Sequence, residues 1–173
     1  MSERVESAAA DVLIEERIQP IHVSTEYLGG YQSVSHVRDL PDLFIDEPLD
    51  LGGKNSGPTA LESTLAALNA CSAMIMFVMR RELRFDLQSV RFETEGLIDV
   101  RRVEMKRTGK KYSEVEPITR HFQRVTQRVH LRTSEPEDRV AHFRAEVERL
   151  CPLQALLRDA RVPLETVWER EDG

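Results

Sequence analysis

Residues 57–79 read GPTALESTLAALNACSAMIMFVM, and this stretch decides the fold. A proline at the first helical position and a glutamate soon after it predict a helix from Thr59 to about Leu83. The interior of this helix is apolar on nearly every side, which favours burial inside a domain. One thiol, Cys71, lies near its middle.

The composition is that of a globular domain. The chain has 173 residues, of which 40% are hydrophobic and 31% charged, so neither a membrane protein nor a disordered tail is expected. This length suits one domain, predicted at residues 18–173 after an N-terminal extension at residues 1–17. The formal net charge of -6 argues against a nucleic-acid partner.

The N-terminus and the longest apolar stretch predict a cytoplasmic protein that does not span a membrane. The N-terminus has no basic segment followed by an apolar run, so no signal peptide is predicted. The longest apolar stretch, Leu65–Met79, is shorter than the roughly 20 residues that a spanning helix needs. Thiols in the cytoplasm stay reduced unless they take part in chemistry.

The remaining segments complete a pattern of β-β-β-α-β-β-α-α-β, which predicts an α+β fold. Short extended pieces separated by Gly and Pro at residues 18–51 indicate a small antiparallel hairpin set. Alternating apolar and polar residues predict further strands, and an amphipathic pattern followed by Cys151-Pro152 predicts two consecutive helices. The predicted strands are Leu87–Leu97, Phe122–Thr133 and Pro163–Trp168. The predicted helices run from Ser134 or Glu135 to Leu150 and over Leu153–Ala160. The basic run Arg101–Lys111 is interpreted as a solvated hairpin tip or arm, not as a nucleic-acid site.

The chain has two cysteines, and their sequence contexts differ. Cys71 fits a small buried hydrophobic residue of the apolar helix. Cys151 precedes a proline, so the amphipathic helix should end there and the next helix should begin at Pro152. A thiol at such a helix start is favoured as a thiolate by the helix dipole. The spacing of eighty residues leaves open whether the two thiols meet.

Three motifs resemble the OsmC/Ohr family of osmotically inducible and organic-hydroperoxide-resistance proteins. They are DEPLDLGG at Asp46–Gly53, GPTALESTLAALNAC at Gly57–Cys71, and the later pair Cys151-Pro152. The resemblance covers roughly residues 20–170. It implies antiparallel sheets around a long apolar central helix, and an intertwined homodimer with its active sites at the subunit interface.

The resemblance also implies a thiol peroxidase that reduces organic hydroperoxides. In such proteins the helix cysteine, here Cys71, attacks the peroxide bond and becomes a sulfenic acid. The Cys-Pro cysteine, here Cys151, condenses with it to a disulfide, which an external dithiol reductant opens. No bound cofactor is implied. The apolar residues around Cys71 are either a pocket for organic peroxides or simply core.

The family also uses an arginine and a glutamate to activate the thiolate. Glu62 matches the motif glutamate, but it lies nine residues before Cys71, on the opposite side of a straight helix. The early Gly-rich turn, where the family has its arginine, contains none here, and Arg38 is the nearest candidate. Without a cation near the thiol, peroxide turnover should be poor.

Two other functions stay open beside the peroxidase. One is a catalytically degenerate domain that binds a small apolar ligand at the dimer interface, which the missing early arginine favours. The other is a structural dimer in which both cysteines are incidental. The five histidines show no metal-binding spacing, so no metal is expected.

Overall fold

The computed structural model describes residues 17–171, and within that range the predicted α+β architecture is confirmed. The predicted N-terminal extension, apart from its last residue, lies outside the described residues. The strands are β1 Ser24–Gly29, β2 Gln32–His36, β3 Leu43–Ile45, β4 Ser89–Leu97, β5 Arg124–Arg132 and β6 Leu164–Arg170. The helices are α1 Ala60–Glu82, α2 Arg101–Thr108, α3 Glu137–Leu150 and α4 Pro152–Asp159.

The first sheet is the predicted hairpin set, with β1, β2 and β3 pairing antiparallel in chain order. Gly29, the last residue of β1, and Gly30, in the turn that leads to β2, have φ values of 102° and 61°. Glycine adopts positive φ values at the least steric cost, which explains the Gly-Gly pair at this turn.

A buried carboxylate closes the loop between β3 and α1. Asp46 is only 1% exposed and accepts hydrogen bonds from the backbone N–H groups of Glu47, Lys54 and Ser56 at 2.8, 3.0 and 3.1 Å. The Ser56 hydroxyl donates a fourth bond at 2.8 Å. Burial acts to raise the pKa of Asp46, but these hydrogen bonds outweigh it and lower the pKa to about 2.

Two positions of the same loop require glycine, because other backbone segments approach them closely. A Cβ atom at Gly53 would collide with the carbonyl of Glu47, and one at Gly57 would collide with the carbonyl of Phe44. The Gly-rich segment is therefore a tightly packed loop that fixes where α1 begins.

Helix α1 begins with a capping box and buries one face only. The Thr59 side chain accepts from the Glu62 backbone N–H, and the Glu62 carboxylate accepts from the Thr59 backbone N–H. The buried face consists of Leu68, Ser72, Met76 and Met79. On the other face Met74, Phe77 and Val78 are 69%, 58% and 53% exposed.

The prediction that α1 is buried on nearly every side is therefore wrong for the single chain. The second sheet, α3 and α4 cover one side of the helix, and no other described element covers the opposite side. The helix is also longer than Leu65–Met79, and by length and composition alone it qualifies as a membrane span. One such helix is weak evidence for a span, since core helices share these properties.

The second sheet has the order β4-β5-β6 and carries the core. Strands β4 and β5 pair antiparallel, but β6 pairs with β5 in parallel, so the expectation of antiparallel sheets is wrong for this strand. The reason is the crossover through α3 and α4, which returns the chain to the end of the sheet where β5 began. On β5, Val125, Val129 and Leu131 point into the core, and Phe143 of α3 stacks on Phe85 with ring centroids 4.1 Å apart.

The basic segment, expected to be a solvated hairpin tip or arm, is a helix, so the hairpin tip is wrong. Residues Arg101–Thr108 form α2, which ends at Gly109 with φ 68°. Arg, Lys, Glu and Met all favour helices, and the segment lacks the alternation of a strand. Charge alone was a poor guide to its backbone.

We predict that Asp46→Asn destabilises the protein at neutral pH, because an amide cannot accept all of these hydrogen bonds. The folded pKa of about 2 lies below the ordinary value of 3.8, so the carboxylate stabilises the fold above about pH 4. This contribution is lost as the pH falls toward 2. Urea unfolding from pH 7 to pH 2.5 should show a gap between wild type and Asp46→Asn that narrows below pH 4.

The matched control is Asp39→Asn, an exposed carboxylate in the turn before β3. It should leave the free energy of unfolding nearly unchanged. A gap for Asp46→Asn that stays constant across this pH range would contradict the assigned role of the carboxylate.

Candidate thiol site

The structure brings the two cysteines together. The Cys71 and Cys151 sulfurs are 3.4 Å apart, and both thiols are free. Cys151 is fully buried, whereas Cys71 is partly exposed. The sequence left this proximity open, and the fold creates it by packing α3 and α4 against α1.

Cys71 lies at the edge between the two faces of α1. The next residue, Ser72, belongs to the buried face, while Met74 and Val78 belong to the exposed one. At about 100° per residue, Cys71 stands roughly a quarter turn from the middle of the buried face. Its sulfur is therefore within reach both of the core and of a molecule approaching from outside.

Cys151 occupies the predicted break between two helices. Helix α3 ends at Leu150, Cys151 adopts an extended backbone (φ −70°, ψ 114°), and Pro152 is the first residue of α4. The stabilisation that was predicted for Cys151 at this helix start instead acts on Cys71. The free backbone N–H of Leu153, in the first turn of α4, donates a hydrogen bond to Cys71.

These surroundings raise the pKa of Cys71 above its ordinary value. Burial is the largest cause, and the adjacent Cys151 thiol adds to it. The Leu153 N–H opposes both because it stabilises the thiolate. None of the cationic side chains that the structure describes contributes to this balance, so the described part of the single chain favours Cys71 as a thiol.

A network of buried polar side chains lies behind Cys151. The sequence alone did not reveal this network. Ser72 and Gln127 are 1% and 0% exposed, and Gln154 of α4 is 2% exposed. The Gln127 side-chain amide donates a hydrogen bond to the side-chain oxygen of Asn69 at 2.9 Å, and the Thr94 hydroxyl donates to the same oxygen at 2.6 Å. The Gln154 amide donates to the Gln127 carbonyl at 3.3 Å.

A signal for this network exists in the strand pattern. On β5 the buried positions alternate as Val125, Gln127, Val129 and Leu131. A glutamine in an otherwise apolar inward row must find buried partners, since an unpaired amide in a core is costly. Its side-chain partners come from α1 and α4, and the sequence does not show which residues those are.

The structure places Glu62 and Arg38 away from the thiols. Glu62 is exposed in the first turn of α1, where its carboxylate caps the Thr59 N–H at 2.7 Å. Arg38 is exposed in the turn after β2 with φ 52°. Within residues 17–171, no hydrogen bond or ion pair joins either residue to a cysteine.

An open apolar hollow of about 400 Å³ begins two residues after Cys71. It lies on the exposed face of α1 and is lined by Ala73, Met74, Ile75, Phe77 and Val78. Side chains of this kind favour an apolar molecule or another apolar protein surface. Across the described residues, no three His, Cys, Asp or Glu side chains lie together as a metal site.

The fold and the site define a class of small α+β proteins with two cysteines. One cysteine lies on the long helix, and the other lies at a Cys-Pro helix break. The family model described as OsmC-like protein matches residues 53–167, about two thirds of the chain. The chain therefore belongs to the OsmC-like family. None of the curated protein sequences matches it significantly.

Solved structures show the same fold at low sequence identity. An OsmC-like protein from Mycoplasma pneumoniae is similar with a TM-score of 0.71 and 10% identity, covering 89% of this chain and 99% of that one. An organic hydroperoxide resistance protein from Elizabethkingia anophelis has a TM-score of 0.65 and 12% identity, covering 91% and 100%. An organic hydroperoxide resistance protein OsmC from Legionella pneumophila has a TM-score of 0.62 and 14% identity, covering 89% and 98%.

We predict that Gln127→Leu lowers the free energy of unfolding by about 2–4 kcal/mol, because it leaves buried groups of Ser72 and Gln154 without their partner. Urea denaturation measures this loss. The control Gln123→Leu changes an exposed glutamine just before the same strand and should stay within about 0.5 kcal/mol of wild type. Equal stability of Gln127→Leu and wild type would show that the network is not structural.

Proposed function

We propose that the protein is a thiol peroxidase that reduces organic hydroperoxides through Cys71 and Cys151. The observation that carries the proposal is the distance of 3.4 Å between the two sulfurs, one partly exposed and one buried. A disulfide requires about 2.05 Å, so small side-chain movements suffice to form it. Family membership and neighbours named organic hydroperoxide resistance proteins support a redox role.

The exposure of the two thiols supports the role proposed for each of them. A hydroperoxide reaches Cys71 from outside, whereas Cys151 is fully buried behind it. Cys71 is therefore the residue that attacks the peroxide, and Cys151 is the resolving residue. The Leu153 N–H stabilises the Cys71 thiolate and supports the same assignment.

The reaction proceeds in two steps. The Cys71 thiolate attacks one peroxide oxygen, the O–O bond breaks, and the alkoxide leaves and takes up a proton as the alcohol. Cys71 is thereby oxidised to a sulfenic acid. Cys151 then attacks that sulfur as a thiolate, an S–S bond forms, and hydroxide leaves and is protonated to water. An external dithiol reduces the disulfide by exchange and restores both thiols.

Activation of Cys71 needs a positive charge, because burial raises its pKa in the single chain. We assign this role to Arg38, with Glu62 as the acid that orients it. Neither residue reaches the thiol within one chain, so the assignment requires their approach from a partner chain. Arg38→Met and Glu62→Gln should each slow the oxidation of Cys71 by cumene hydroperoxide.

A homodimer is proposed on the exposed apolar surface. The uncovered face of α1 exposes Met74, Phe77 and Val78, and the first sheet exposes further large apolar side chains. Large exposed apolar surfaces mark interfaces. A second copy of the chain would cover it and enclose the hollow beside Cys71. A cytoplasmic role in the oxidative stress response fits free thiols that an external dithiol can reach.

A second candidate is a degenerate domain that binds a small apolar ligand in that hollow. Two observations favour it: burial raises the pKa of Cys71, and no described cation counters this effect. The apolar lining of the hollow would then hold the ligand without chemistry.

We predict that cumene hydroperoxide converts the protein within seconds to a form with a Cys71–Cys151 disulfide. Cys71→Ser should abolish oxidation. Cys151→Ser should accumulate a sulfenic acid on Cys71, because the resolving thiol is absent. Quenched samples, trapped with dimedone and read by mass spectrometry, measure each species.

Glutathione at the same pH provides the rate of an ordinary thiol. Oxidation of Cys71 no faster than glutathione, and unaffected by Cys151→Ser, would contradict the peroxidase. Saturable binding of cumyl alcohol under those conditions would support the ligand-binding domain instead.

We predict that the wild-type protein has twice the mass of one chain in light scattering after size exclusion. Phe77→Arg should shift it to the monomer, because a charge cannot be buried in an apolar interface without a partner. Phe77→Leu keeps the apolar character and should remain dimeric. A wild-type monomer at micromolar concentration would contradict the dimer.

A further inference from the structure

We propose that Ser72 is a positioning residue that directs a hydrogen bond to the Cys151 thiolate during disulfide formation. This inference rests on the proposed function, since it concerns the second step of that reaction. Ser72 follows Cys71 directly in α1, but its side chain lies on the buried face and reaches the other thiol. Its hydroxyl oxygen is 3.8 Å from the Cys151 sulfur.

The surrounding amides determine what the Ser72 hydroxyl can do. A serine hydroxyl has two acceptor positions and one donor. The Gln127 and Gln154 side-chain N–H groups both lie 3.4 Å from its oxygen and fill the acceptor positions. The remaining O–H can turn either to the Gln127 carbonyl, at 3.4 Å, or to the Cys151 sulfur.

The Gln127 carbonyl does not need the Ser72 proton. It already accepts from the Gln154 amide at 3.3 Å. In the resting protein the Cys151 S–H can point away from Ser72, toward the Cys71 sulfur at 3.4 Å. The lone pairs of the Cys151 sulfur are therefore free to accept from Ser72.

This arrangement matters when Cys151 loses its proton. A buried thiolate is costly unless a donor meets it. Ser72 can rotate its O–H from the Gln127 carbonyl to the sulfur, and that carbonyl keeps its bond from Gln154. The hydroxyl stays protonated throughout: the thiol proton leaves with the hydroxide of the sulfenic acid as water, and the S–S bond forms.

The test starts the resolving step in two ways. In the first arm cumene hydroperoxide oxidises Cys71, and the Cys71–Cys151 disulfide is followed by quenched mass spectrometry from pH 5.5 to 9.5. In the second arm methyl methanethiosulfonate converts the partly exposed Cys71 to a mixed disulfide. Cys151 then displaces methanethiol from that sulfur, a step that needs no peroxidase activity.

We expect Ser72→Ala to move the midpoint of the pH profile upward by about one unit in both arms, because the thiolate loses a donor. Below the midpoint disulfide formation should be about threefold slower. Above it the reaction should be about threefold faster, since a less stabilised thiolate is the better nucleophile. The rate of Cys71 sulfenic acid formation should not change.

Three variants complete the design. Ser72→Thr keeps the hydroxyl and should restore the wild-type midpoint. Gln154→Leu removes one amide that orients the hydroxyl and should give a smaller shift in the same direction, which also tests the inference if Ser72→Ala folds poorly. Ser63→Ala is the matched control, because its hydroxyl bonds to the Thr59 carbonyl in the first turns of the same helix.

An unchanged pH profile for Ser72→Ala would overturn the proposal. Uniform slowing at every pH would also overturn it, since that is the signature of a packing defect. If the wild-type protein is inert to hydroperoxide, the proposed function fails, while the methanethiosulfonate arm still decides the role of Ser72.

Discussion

The thiol site depends on the break between α3 and α4. Proline at position 152 removes a helical donor and forces Cys151 out of helical geometry, so the chain turns there and a new helix starts. The turn buries the Cys151 sulfur against α1 and directs the free Leu153 N–H at Cys71. One backbone constraint thus places a thiol and a hydrogen-bond donor beside the same sulfur.

At Cys71 the requirements of stability and of reactivity oppose each other. Burial favours packing of α1 on the second sheet but raises the pKa of Cys71, while the start of α4 lowers it. In the single chain the effect of burial on the pKa is larger than that of the α4 start, so Cys71 is a neutral thiol. It also leaves the apolar face of α1 uncovered beside the thiol. Completion by a second chain would address both features, which is why the proposed activation and the proposed dimer belong together.

Local sequence patterns predicted the fold well because its elements have strong local signals. The apolar run preceded by Pro58 and Glu62 indicated α1, although Thr59 and not Pro58 caps the helix. The period of two indicated β4 and β5, and Cys151-Pro152 indicated the helix break. The parallel pairing of β6 was missed, because alternation reveals a strand but not the direction of its neighbour. The basic α2 was missed because its charges suggested a tip while its residues favour a helix.

The site was only partly predictable for a related reason. The two cysteines carry their own chemistry and could be named from sequence, but the Leu153 N–H is a backbone group that any residue other than proline would supply. Ser72, Gln127 and Gln154 come from three distant segments, and only Gln127 breaks a visible pattern. Polar residues that bond to one another in a core become recognisable as a network once the distances between them are known. The side chains that tune the two thiols therefore have to be read from the packing, even where the thiols themselves can be read from the chain.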